Sequence, residues 1–167
     1  MKYWILLIIG MTFTFCTSMS YKKVLEELQN MPPADYSYII QPDFKLSKES
    51  SEEKFRELYN AEELKIGASG IHTYHKETKA QLEEKYWLKY VILNSNLVND
   101  INDKLSTKKL GKELATKILA EITNIEEYSK IEIMFMQQWN DGQVKSIKRN
   151  FFFTVPTLEE TNWLKIN

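Results

Sequence analysis

The chain has 167 residues, of which 43% are hydrophobic and 13% aromatic, with five Gly and four Pro. That is the mass of one ordinary domain with a real core, and it excludes a long disordered protein. The net charge of −1 excludes a basic field for nucleic acid, and the single cysteine, Cys16, excludes an internal disulfide.

The N-terminus reads MKYWILLIIGMTFTFCTSMS. Lys2 precedes an uncharged, mostly apolar run from Tyr3 to Phe15, and the small residues Cys16, Thr17, Ser18 and Ser20 follow. A charged start, an apolar middle and a small-residue exit are the three parts of a secretory signal. The run is shorter than the ~20 residues a spanning helix needs. It is apolar on every face, which fits a core helix badly. The exit resembles a bacterial lipoprotein signal, whose box is an aliphatic residue, a small residue, a Gly, Ala or Ser, and then the acylated cysteine. Here the four are Phe13, Thr14, Phe15 and Cys16. Cys16 and Thr14 match, Phe13 matches loosely, and Phe15 departs from the small side chain that the peptidase takes. Ordinary cleavage after Ser18 or Ser20 also satisfies the small-x-small rule. The resemblance implies lipid at Cys16, a membrane as partner through that lipid, and a place in the bacterial cell envelope. The other cleavage implies a secreted or soluble periplasmic chain. Residues 1–16 are read as signal, 17–47 as tether and lead-in, and 48–167 as a single domain.

In SYKKVLEEL, Val24, Leu25 and Leu28 stand at helical spacing, and Pro32 and Pro33 stop that helix. YSYIIQPDF reads as a short extended piece that Pro42 ends. SKESSEEKFRELYNAEEL predicts a helix, with Ser50 and Glu53 as a capping box and Phe55, Leu58 and Tyr59 as its apolar stripe. GASG at 67–70 reads as the loop after it. From Ile71 the period changes to strand alternation. KYWLKYVILN predicts a strand apolar on both faces, with Tyr86, Leu88, Tyr90 and Ile92 opposite Trp87, Val91 and Leu93. A polar connection follows, with one helical turn through Leu97 and Ile101.

The pattern predicts a helix over 107–123 with Leu110, Leu114, Ile118 and Ile122 on one face, capped by Ser106 or Thr107. Gly111 inside it marks a close approach to the sheet. Two strands around NDG at 140–142 predict a hairpin, and Pro156 stops the second strand. The last residues are expected to dock through Trp163, Leu164 and Ile166. The expected fold is α+β. Two layers are foreseen, a four-stranded, mainly antiparallel sheet and a helix across it, in the order α-β-β-α-β-β.

Chemistry-bearing residues are sparse. His72 and His75 lie three apart in a strand pattern, which sends them to opposite faces and spoils a metal pair. Glu52, Glu53, Glu57, Glu62 and Glu63 read as helix-start and surface charges rather than general acids. Ser69 lacks the Gly-x-Ser-x-Gly context of a nucleophile elbow. No catalytic residue, cofactor motif or metal set is expected. The aromatics are more informative. Trp87 and Phe152 must point away from their apolar neighbours, and with Trp139, Lys148 and Arg149 they are read as one binding face. The covering alternative is the lead-in and the C-terminal tail. The chain resembles, loosely, small bacterial envelope proteins of no characterised family. It reads as a lipid-anchored binding or accessory module, more readily non-enzymatic, with a protein as a candidate partner. The alternatives are an immunity-type protein that neutralises a toxin in the envelope, and a small hydrolase.

Overall fold

Alternation along four long strands and the 3.6-residue period along two helices leave one apolar side on each, and those sides meet in one core. The computed structural model describes residues 35–74 and 81–161, with isolated positions 23, 25, 26, 29, 30, 33 and 78. Its elements are α1 (Lys48–Leu58), β1 (Glu63–Tyr74), β2 (Gln81–Leu93), α2 (Lys104–Leu119), β3 (Lys130–Asn140), β4 (Val144–Thr154) and β5 (Glu160–Thr161). A single 3-10 turn, Ile125–Glu127, precedes β3. The sheet order is β1-β2-β3-β4-β5, with β2–β3 parallel and the other three pairings antiparallel.

The α+β class is as expected. The sheet differs from expectation in having five strands rather than four; it is mainly antiparallel, with the one parallel pair β2–β3. The fifth strand forms where Glu160 and Thr161 fold back onto Phe153 and Phe152. The parallel pair follows from the connection. The chain leaves β2, crosses one face as α2, and re-enters in the same direction, as a crossover must.

The helices start earlier than the sequence pattern puts them. Ser47, not Ser50, caps α1, its hydroxyl accepting the Ser50 N–H at 3.1 Å. Glu53 pairs with Arg56 instead of closing a capping box. Asp103 caps α2, one carboxylate oxygen accepting the N–H groups of Leu105 and Ser106 at 3.1 and 3.2 Å. Thr107 lies inside the helix and donates its hydroxyl to the Asp103 carbonyl at 2.7 Å. In both cases a loop side chain satisfies the free N–H groups of the first turn.

On the helix side of the sheet, Leu64, Ile66, Leu88, Tyr90, Ile92, Ile131, Ile133, Phe135, Phe151 and Phe153 are all 2% exposed or less. They meet Phe55 and Tyr59 of α1 and Leu114, Ala115, Ile118 and Leu119 of α2. Burial of each large side chain contributes roughly 1.5–3 kcal/mol. Gly111 lets α2 come close, since a Cβ there would stand 3.3 Å from the Phe135 ring and 3.6 Å from Ile133.

GASG lies within β1, not in a loop. Its Gly70 is required by the lead-in, because a Cβ would fall 2.7 Å from Ile39 and 2.8 Å from the Tyr38 hydroxyl. Tyr38 donates to the Ile71 carbonyl at 3.0 Å, and Tyr128 donates to the Ile40 carbonyl at 2.8 Å. Phe44 bridges to Ile122. The lead-in thus closes the far end of the helix side, where Tyr38, Tyr86 and Tyr128 meet edge to face. The outer edge of β1 is guarded as well, since the Glu52 carboxylate accepts the Ile66 N–H at 2.8 Å.

Three phenols are held neutral. Burial pushes the Tyr90 pKa well above its ordinary value. Burial, then the charge of Glu113, pushes Tyr59 up to about 12. Burial, then Tyr86 and nearby carboxylates, raises Tyr128 further. A folded pKa raised above the unfolded value near 10 contributes stability that is complete below about pH 10 and is lost as pH climbs through the folded values. Alkaline unfolding followed by circular dichroism should therefore begin above about pH 10 and steepen toward 12. The Tyr90 hydroxyl is buried with no hydrogen-bond partner among the described residues. Tyr90→Phe should raise the midpoint of that transition and add about 1 kcal/mol in urea at neutral pH. Gly111→Leu should lose about 1–3 kcal/mol by the same urea measurement, through overpacking against Phe135.

Candidate functional site

Strand alternation divides the residues expected to share a binding face. Trp87, Lys148 and Phe152 lie on the side away from the helices, in register with Ser69, Met136 and Glu132. Trp139 and Arg149 lie on the helix side, opposite Lys145 and Phe135. The expected single face is therefore not formed, because adjacent strand residues point to opposite sides. Cys16, His75 and Trp163 lie outside the described residues, and His72 falls in β1 opposite Glu84.

The side away from the helices is organised around a carboxylate. Glu132 is 2% exposed. The Trp87 indole N–H donates to one of its oxygens at 2.9 Å, and the Asn150 amide donates to the other at 2.8 Å. Lys89 places its ammonium 3.4 Å away. The Phe152 ring meets Trp87 edge-on at 6.4 Å between centroids. A carboxylate is costly to bury unless it is paired and hydrogen-bonded, and here both oxygens have donors. The cluster is a clasp joining β2, β3 and β4, and Trp87 is engaged in it, only 9% exposed. Glu132 was not singled out in the sequence. The signal was a lone charge within the apolar run IEIMFM, but its partners lie on two other strands.

The helix side opens at the opposite end of the strands from the lead-in. β2 stops at Leu93 while β3 runs on to Asn140. Asn94 takes a φ of 50°, a left-handed conformation that asparagine tolerates, and turns the chain away. Its side chain then stands in for the missing strand. The oxygen accepts the Gln138 N–H at 2.7 Å, and the amide nitrogen donates to Glu62 at 2.6 Å. The loop beyond is tied to the hairpin, with Gln137 donating to the Val98 carbonyl at 3.1 Å and Arg149 to the Ile101 carbonyl at 3.2 Å.

Between loop and hairpin lies an open cleft of about 400 Å³, lined by Asn94, Ser95, Asn96, Val98, Gln137, Gln138 and Trp139. No charged side chain is among them. The cleft sits at the carboxyl ends of the parallel pair, the place where open sheets receive ligands. Trp139 is 42% exposed, and Leu97, Val144 and Ile147 are exposed at the same end. A smaller cavity of about 120 Å³ lies beside it at the start of α2. Its acids are committed, Asp103 to the helix cap and Asp100 to the Asn102 N–H at 2.8 Å.

Four of the five glutamates considered from sequence are also engaged. Glu52 holds the edge of β1, Glu53 pairs with Arg56, Glu62 with Asn94, and Glu63 with Lys65. Among the described residues, no group of three or more His, Cys, Asp or Glu could hold a metal ion, and no helix is long and apolar enough to cross a membrane. No family model matches the chain, and no curated protein or solved structure matches it either. Function therefore has to be read from the residues themselves.

Glu132→Ala should cost about 2–4 kcal/mol in urea unfolding, because it strands the Trp87 and Asn150 donors. Trp87→Phe, which leaves the carboxylate one donor short, should cost about 1–2 kcal/mol.

Proposed function

We propose that this chain is an exported protein of the bacterial envelope, anchored by lipid at Cys16, that acts as a binding module through the cleft beside Trp139. One observation carries the binding reading. Trp139, an exposed large apolar residue of β3, lines the cleft at the end of the hairpin where Val144 and Ile147 of β4 are exposed as well. An aromatic at the mouth of a concave site is a means of recognition, whereas Trp87 and Phe152 are engaged around Glu132. The anchor rests on the layout of residues 1–20 and on the position of Cys16 at the end of the apolar run.

Two measurements test this reading. Intact mass of the membrane fraction should show a mature chain that starts at Cys16 and carries acyl chains; a soluble chain starting at Met19 or Tyr21 overturns the anchor. Cys16→Ser protein, which cannot be acylated, should still co-sediment with detergent-washed envelopes. Trp139→Ala in that background should lower binding about tenfold, as loss of a central aromatic contact does. Absence of co-sedimentation overturns the binding role.

A further inference from the structure

We infer that the Trp139 cleft binds a neutral saccharide, one or two pyranose rings of an envelope glycan. The inference rests on the reading that this end of the sheet is the binding end, and it names the ligand class.

The lining sets the chemistry. Asn94, Asn96, Gln137 and Gln138 supply four amides and no charge, while the buried Ser95 hydroxyl is spent on the Tyr59 carbonyl and the Leu97 N–H. Each amide offers both a donor and an acceptor, as each sugar hydroxyl does. An anion or a cation would find no counter-charge there. A wholly apolar ligand would leave the amides unpaired.

Some of these groups are fixed and others are free. Asn94 is held at both ends, by Glu62 and by the Gln138 N–H. Gln137 spends its amide nitrogen on Val98, which leaves its oxygen. The side chains of Asn96 and Gln138 make no hydrogen bond among the described residues. The wall is thus partly preorganised and still has polar groups to offer. Trp139 supplies a flat, half-exposed apolar surface at its mouth. The C–H face of a pyranose stacks on such an indole while its hydroxyls reach sideways to the amides. The volume of about 400 Å³ is within the ~300–1,000 Å³ of small-molecule sites.

The geometry disfavours an extended peptide. A peptide would add to β3 as a strand where β2 has ended. The first edge donor there, the Gln138 N–H, is already taken by Asn94.

The test is titration calorimetry of the full chain, in a detergent without a sugar headgroup, against chitotetraose and cellotetraose. Saturable binding of at least one is expected, weakened about tenfold or more by Trp139→Ala and by the pair Asn96→Ala and Gln138→Ala. Trp139→Phe keeps a ring and should retain part of the binding. Binding of chitotetraose alone supports an N-acetylated glycan, and of cellotetraose alone an unsubstituted one. No heat with either sugar at about 10 mM, or equal affinity in Trp139→Ala, overturns the assignment. If neither sugar binds while Trp139-dependent co-sedimentation persists and protease treatment of the envelopes abolishes it, the ligand is a protein. The saccharide is then overturned and the binding end stands. If co-sedimentation is absent as well, both fall.

Discussion

The parallel pairing of β2 with β3, Leu88–Leu93 against Ile131–Met136, is the constraint on which the other parts depend. The β3–β4 pairing is closed by a tight turn, with Gly142 at a φ of 95°. A parallel pair allows no such short connection, so the chain must cross one face before it returns. That crossing is α2, and it brings Leu114, Ala115, Ile118 and Leu119 onto Ile133, Phe135 and Phe151. The same pairing brings the carboxyl ends of β2 and β3 to one side of the molecule. The loop that leaves β2 and the overhang of β3 therefore face each other, and the cleft lies between them.

The two sides of the sheet are stabilised in different ways. The helix side is mainly apolar side chains packed on one another, where a two-residue slip of β3 would still present an apolar group. The other side holds Glu132 between Trp87, Asn150 and Lys89, contacts that require three strands at once. A slip of β3 by one residue would turn Glu132 into the apolar core and Ile131 or Ile133 out of it. An unpaired carboxylate in hydrocarbon is far costlier than a misplaced isoleucine. The clasp thus selects one register, while the helix side supplies most of the burial. Lys89 keeps 30% of its side chain exposed, so solvent screens its share and the two neutral donors carry more of the holding.

Features that depend on local periodicity were legible in the sequence. The α2 stripe, the hairpin at 140–142 and the close approach at Gly111 all follow from residues a few positions apart. What was not legible depends on distant segments. GASG looks like a loop until Tyr38 and Ile39 are known to pack on Gly70. Ser47 and Asp103 look like loop residues until the caps are placed three or four residues earlier than Ser50 and Ser106 or Thr107. The residues read as one binding face belong to both sides of the sheet. Alternation could have separated Trp139 and Arg149 from Phe152 and Lys148. That Trp139 stands at a cleft could not be read, because it follows from β2 ending at Asn94 while β3 continues.

Asn94 links the fold to the site. An overhanging strand presents unpaired backbone groups, which invite pairing with another chain. Here the Asn94 amide occupies the first of them, and farther out the Asp141–Lys145 ion pair at 2.7 Å places charge at the tip. The overhang is thereby protected from edge pairing without being covered. Trp139 does not gain burial from this arrangement, as it would if the strand were shorter or the loop folded over it. A protein selected for stability alone would trim the overhang or place a polar residue there. Keeping an exposed tryptophan on a blocked, rigidly tied strand beside unengaged amides is understandable when the indole is needed as a surface for a ligand rather than as part of the core.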